Sequence, residues 1–231
     1  MAQQVRTASD TTLIQTRQRA GQVRLGVWIE SISLFWMVIE ASIAITAGFI
    51  AHSVSLEGFG IDSIIELIAG GVLLWRLLVE QRGGSMEAIE HAERRAAWIT
   101  AFSLFGLALY IVAGSAFALV TQSRPQVSWW GTGLAIAAAI IMPLLWQGKL
   151  RVAKHIGSAA LKADAMCSIT CAYMSFTLLA GLLLNAIFGL WWADSLAALV
   201  LVYFIVREGR EALHEARTGE ACCCDEEECE E

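Results

Sequence analysis

The sequence predicts an all-α membrane protein with six transmembrane helices and both termini in the cytoplasm. Three observations support this fold class. The 231 residues are 57% hydrophobic and only 16% charged, with a mean hydropathy of +0.59, which is typical of membrane proteins. The apolar residues form long blocks separated by short polar connectors, and nearly all basic residues fall in alternate connectors.

Each apolar block is long enough to cross a bilayer, or nearly so, because a spanning helix needs about 20 residues. We expect every block to be helical, since lipid offers the backbone no hydrogen-bond partner outside its own segment. Two connectors, "HSVS" and "NAIFGL", are short enough to require tight helical hairpins. The six blocks are residues 26–51, 54–79, 94–121, 128–147, 158–186 and 190–206.

The basic residues indicate the orientation in the membrane. All sixteen Lys and Arg residues except Arg124 fall on one side of the predicted topology. By the positive-inside rule this side faces the cytoplasm. The compact loops favour a bacterial plasma membrane as the host, and a multi-pass integral membrane protein is predicted.

Three regions are predicted: a cytoplasmic N-terminal arm over 1–25, a transport domain over 26–210 and an acidic tail over 211–231. The arm is polar and lacks the apolar core of a cleaved signal peptide, so we expect it to be flexible. The net charge of -6 reflects the acidic tail, and it gives no reason to expect a nucleic-acid partner.

The predicted tail contains four of the six cysteines among acidic residues, in the sequence "ACCCDEEECEE". A cytosolic location keeps such thiols reduced, so a disulfide framework is not expected. The thiols could gather a thiophilic metal near the inner mouth of the domain. The alternative is a solubilising tail without a specific function. These residues are Cys222, Cys223, Cys224 and Cys229.

Three carboxylates lie in the second block, in "SLEGFGIDSIIELIAGG". Glu57 lies near the outer end, where water is close, so a structural role is expected. Asp62 and Glu66 are four residues apart, on one face of the helix, and more than a turn from either end. Two carboxylates held together in low dielectric share either a proton or a cation. Both readings are open from this stretch alone.

The fifth block supplies a facing set of side chains in "ALKADAMCSITCAYMSF". Asp164, Cys167 and Cys171 are spaced i, i+3 and i+7, which places them on one stripe of the helix. The cysteines could be small buried hydrophobes. If they face Asp62 and Glu66, however, two oxygen and two sulfur ligands can form a tetrahedral site. Such a site favours zinc or cadmium over magnesium and calcium.

At these residues the sequence resembles the transmembrane domain of the cation diffusion facilitator family, proton-coupled exporters of zinc and other divalent metals. The likeness covers the whole predicted six-helix domain. "SVSLEGFGIDSIIE" is similar to the family's acidic pair, here Asp62 and Glu66. "KADAMCSITC" keeps the family's Ala-Asp pair at Asp164 but has Cys167 and Cys171 at the ligand positions. "WWADSLAALV" is similar to the sixth helix.

The family commonly adds a cytoplasmic domain that binds metal and holds a dimer together. This sequence stops soon after the sixth block, so the resemblance implies a short form, and a homodimer is left open. The cysteines replace harder ligands, which moves the expected metal toward zinc and cadmium and away from manganese.

The expected function is therefore proton-coupled efflux of divalent metal cations by alternating access, with zinc before cadmium and other transition metals. The expected ligands are Asp62, Glu66, Cys167 and Cys171. Asp164, one turn inward, would receive the ion or relay protons. The metal is the transported substrate, so neither a resident cofactor nor an enzymatic activity is expected. The partners are the lipid bilayer, the metal ion and protons.

Two alternatives belong to other classes. A membrane thiol oxidoreductase would use Cys167 and Cys171, although thiols four residues apart on a regular helix are usually too far apart to form a disulfide. A non-transporting metal sensor or scaffold would act through the cysteine-rich tail.

Overall fold

The part of the chain that the structure describes folds into six helices that pack as one bundle. The structure, a computed structural model, describes the backbone of residues 2–82, 86–156 and 158–218, with side chains from residue 21 onwards except at 80, 86–93, 96, 159 and 215. The tail cysteines lie outside the described residues. No strand occurs in the described ranges, which confirms the predicted all-α class. The helices are α1 (Ala2–Ala51), α2 (Val54–Gln81), α3 (Met86–Thr121), α4 (Trp129–Ile156), α5 (Ala159–Phe188) and α6 (Trp192–Thr218).

The outer turns lie where the sequence predicts them. Between α1 and α2, His52 adopts the left-handed conformation with φ 54°, and the Ser53 amide donates to the Gly48 carbonyl at 3.0 Å. This bond satisfies a carbonyl that the end of the helix would otherwise leave unpaired. Gly189 plays a similar part after α5, with φ 64° and its amide bonded to the carbonyl of Asn185.

The inner ends of the helices extend further than the apolar blocks. α4 continues to Ile156 and α6 to Thr218, and the long connector predicted before residue 94 is largely the first turns of α3. The backbone of residues 2–25, predicted as a flexible arm, is the start of α1. Hydropathy marks only the part of a helix that lipid surrounds, whereas polar sequence with good helix formers continues the helix beyond it.

Over the residues described, four helices are individually long and apolar enough to cross a membrane: α1 from Gly21, α3, α4 and α5. Large apolar side chains cover the outside of the bundle, for example Val120 (84% exposed) and Trp130 (79% exposed). An outer surface of this kind suits lipid rather than water. The chain is therefore a multi-pass membrane protein.

Helix α2 lies inside the bundle, where it contacts α1, α3, α5 and α6. Its glycines allow close approach: a Cβ atom at Gly60 would lie 2.8 Å from the backbone nitrogen of Ile45, and one at Gly58 would lie 2.7 Å from Ile111. Small residues at helix contacts permit such packing in membranes. A core with members from all six helices then surrounds the polar residues that α2 carries inward.

Candidate metal centre

The structure brings three side chains together in the middle of the bundle. Asp62 and Glu66 on α2 and Cys171 on α5 are buried, and each offers a ligand atom within 4.8 Å of the other two. The Cys171 thiol donates to Glu66 Oε2 at 3.2 Å. A single cation could contact all three atoms, because zinc binds oxygen at about 2.0–2.2 Å and sulfur at about 2.3 Å.

The oxygens of this group lack other partners. Neither oxygen of Asp62, nor Glu66 Oε1, has a hydrogen-bond partner among the described residues. Buried polar atoms are almost always paired, and two neighbouring unpaired carboxylates are especially unfavourable in low dielectric. The arrangement therefore requires protons or a cation between the carboxylates.

A third carboxylate lies near this pair. Glu40 on α1 is fully buried, and neither of its oxygens has a partner within the described part of the chain. It is close enough to Asp62 to interact electrostatically. Glu40 can therefore carry a proton beside the ligand group without itself belonging to it.

Cys167 does not join the three converging ligand atoms. It is partly exposed and lines a cavity one turn further inward. Positions four residues apart on a helix are about 6 Å apart along its axis. Glu66 has a long side chain that reaches back toward Asp62, whereas the short side chain of a cysteine cannot span such a distance. Three of the four predicted ligands are thus assembled, and their binding of metal stays a prediction.

Asp164 has a different neighbour from the one expected. Its Oδ2 atom lies 2.5 Å from Lys149 Nζ, and the same ammonium lies 3.1 Å from Glu30 Oε2. Lys149 and Glu30 are fully buried. The three residues link α1, α4 and α5 in one ionic group, so the structure gives Asp164 an internal counter-ion. Its predicted contact with metal is not tested.

Comparison with known proteins gives the family. Residues 31–218 match the family described as the cation efflux transmembrane domain. The chain belongs to this cation efflux family. The match confirms the resemblance to the transmembrane domain of the cation diffusion facilitators.

Individual relatives of this cation efflux protein are distant. Transmembrane protein 163 of Xenopus laevis is 22% identical over 169 residues, which cover 73% of this chain and 59% of that protein. The manganese efflux system protein MneS of Bacillus subtilis is 24% identical over 206 residues, or 86% of this chain and 69% of that protein. An uncharacterized transporter of Methanocaldococcus jannaschii is 26% identical, over 76% of this chain and 63% of its own length.

Ionisable residues at the outer end of the cation efflux domain have local partners. The Tyr110 hydroxyl donates to Glu57 at 2.5 Å. Asp194 Oδ1 accepts hydrogen bonds from the hydroxyls of Ser53 and Ser55, both at 2.5 Å. The Asp194 contacts tie the start of α6 to the turn between α1 and α2, and the Tyr110 contact supports the structural role predicted for Glu57.

Sequence reasoning missed two buried residues of the inner half, Lys149 and Glu208. From the sequence, Lys149 was counted only among the basic residues that indicate orientation. In the structure it falls on the buried stripe of α4 with Met142, Val152 and Ala153. Glu208 follows the buried Ile205 on α6 at helical spacing. A charged residue in register with a buried stripe is the signal that could have found both.

Proposed function

We propose that this chain exports divalent metal cations, zinc foremost, in exchange for protons by alternating access. The observation that carries the proposal is the buried group of Asp62, Glu66 and Cys171, whose ligand atoms converge while three of the four carboxylate oxygens have no partner among the residues that the structure describes. Intramembrane carboxylates of this kind mark ion and proton pathways. Family membership supports the transport of cations, and the ligand group supports the position that we propose for it.

Zinc is favoured because one of the three ligands is a thiol. Zinc and cadmium accept mixed oxygen and sulfur ligands, whereas manganese prefers oxygen and imidazole. One relative is named for manganese efflux, which is a property of that protein. In the present chain, Cys171→Asp should therefore shift transport from zinc and cadmium toward manganese. An unchanged ratio of the three fluxes would contradict the argument from ligand softness.

Coupling to protons follows from the chemistry of the ligands. A carboxyl or thiol group must lose its proton before it binds a metal ion, so binding on one side of the membrane releases protons there. Protonation on the other side then displaces the metal. We take the face of the protein that carries the basic residues as its cytoplasmic side. Glu40 is the candidate for holding a proton next to Asp62 during this exchange.

The test is metal transport in proteoliposomes that contain a zinc-sensitive dye and an imposed pH gradient. The wild-type chain should transport zinc only while the gradient is present, and Asp62→Ala should reduce the flux to that of protein-free vesicles. Glu57→Gln is a matched control on the same helix, because Glu57 bonds to Tyr110 rather than to the ligand group. Undiminished zinc flux in Asp62→Ala would refute the proposed site.

A further inference from the structure

A cavity of about 150 Å³ lies inward of the three converging ligands. Residues of α1, α2, α3, α5 and α6 line it, among them Glu66 of the metal centre and, nearer the inner ends of their helices, Leu73, Ala160 and Ala212. The cavity therefore leads from the candidate metal centre toward the face that carries the basic residues. A cation that enters from this face would pass through it.

Most of the lining is apolar, and among the described residues its ionisable side chains are four carboxylates and the Cys167 thiol, with no basic residue. Two of its four carboxylates already have counter-ions: Asp164 pairs with Lys149, and Glu211 pairs with Arg207 at 3.1 Å. Glu66 belongs to the metal centre. Among the described lining residues, Glu208 is therefore the carboxylate that neither pairs with a basic residue nor belongs to the metal centre.

Glu208 is 94% buried, since only 6% of its surface is exposed, and its Oε1 atom has no hydrogen-bond partner in the described ranges. A buried acceptor of this kind is costly unless a proton or a cation satisfies it. Cys167 lines the same cavity from α5 and interacts electrostatically with Glu208, which also interacts with Asp62 and Glu66 of the metal centre. A carboxylate and a thiol thus line one cavity whose other walls are mostly apolar.

We propose that Cys167 and Glu208 form a second binding position for a thiophilic divalent cation, about one helical turn inward of the metal centre. The position rests on the proposed function, because it lies on the inner route to Asp62, Glu66 and Cys171. A thiolate and a carboxylate suit zinc or cadmium, and water in the cavity can supply the other ligands. On binding, the thiol releases its proton to the water of the cavity.

Cadmium titration of the purified full-length protein tests this position through the ultraviolet absorption of the cadmium–thiolate bond. Replacing Cys222, Cys223, Cys224 and Cys229 by Ser leaves Cys167 and Cys171 as the only thiols of the chain. Adding Cys171→Ser leaves Cys167 alone. In that variant we expect a saturable thiolate band, and Glu208→Gln should weaken cadmium binding at least about tenfold, as expected for loss of a ligand.

Glu211→Gln is the matched control, because it removes a carboxylate of the same cavity and helix that already pairs with Arg207. Its cadmium affinity should stay within about twofold of the parent, since a surface ion pair contributes little. Alkylation of Cys167 by a maleimide gives a second readout: cadmium should slow it in the parent and in Glu211→Gln, but not in Glu208→Gln.

Absence of the cadmium band in the Cys167-only variant, or an unchanged affinity in Glu208→Gln, would overturn the second position. These results leave the proposed function intact if Asp62→Ala still abolishes zinc flux. Conversely, an intact Cys167 band together with undiminished flux in Asp62→Ala would refute the proposed centre alone. The two outcomes are therefore distinguishable.

Discussion

Replacing Lys149 by methionine should destabilise the protein by about 3–5 kcal/mol, the range for removing one partner of a buried ionic group. Lys149 Nζ lies 2.5 Å from Asp164 and 3.1 Å from Glu30 in the bundle interior. At an effective dielectric constant of about 20, each such contact contributes roughly 5–7 kcal/mol of attraction. Lys149→Met removes this attraction and leaves two carboxylates facing a methyl group.

Thermal unfolding in detergent, followed by tryptophan fluorescence, measures the effect. For a chain of this size 1 kcal/mol corresponds to about 2–4 °C, so Tm should fall by about 6–20 °C. Lys154→Met is the control, because Lys154 is exposed on the same helix and carries the same charge. Its Tm should remain near that of the wild type.

A triple variant separates the ionic group from simple packing. Glu30→Gln, Lys149→Met and Asp164→Asn together remove every charge, and replacing a whole buried ionic group is often nearly neutral. The triple variant should therefore recover most of the Tm that the single variant loses. The reasoning fails if Lys149→Met shifts Tm no more than Lys154→Met, or if the triple variant is no more stable than the single one.

Two further predictions concern packing around the site. Gly70→Ala should lower Tm, because its Cβ atom would lie 2.8 Å from Glu30 Oε1 and 2.8 Å from Leu34; Gly71→Ala, whose Cβ meets no atom within 4 Å, is the neighbouring control and should not. An equal Tm for the two variants would show that the ionic group tolerates displacement. Asp194→Leu should cost about 1–3 kcal/mol, because the hydroxyls of Ser53 and Ser55 lose their acceptor. Asp194→Asn keeps an acceptor, so it should lose less Tm than Asp194→Leu, and the same loss in both variants would contradict the hydrogen-bond explanation.

The number of helices and the positions of the outer turns could be predicted from the sequence, because short polar stretches such as "HSVS" interrupt long apolar blocks. The inner ends of the helices could not be predicted in this way. There the chain continues as helix through polar sequence that hydropathy does not distinguish from a loop, as in residues 86–93 of α3. Helix propensity was the informative property in these segments, since Ala and Glu are good helix formers.

The candidate site was predictable where a local pattern carried it. Asp62 and Glu66 form a like-charged pair on one helical face, and Cys171 lies on the stripe that faces them. The separate position of Cys167 was not predictable, because it depends on the reach of each side chain across the helix contact. The pairing of Asp164 with Lys149 required knowledge of how α4 packs on α5, which no spacing within one helix reveals.

The separation of the two thiols changes how the choice of metal is explained. A single tetrahedral set with two thiolates would select for soft ions at one point. Under our proposals, an ion instead meets Cys167 and Glu208 first, and then Cys171 with Asp62 and Glu66. Each position pairs one thiol with carboxylates, so zinc can bind at both without a change of ligand type. Manganese, which prefers oxygen, is disfavoured at each step, and the preference for zinc is therefore set along the route rather than by one complete site.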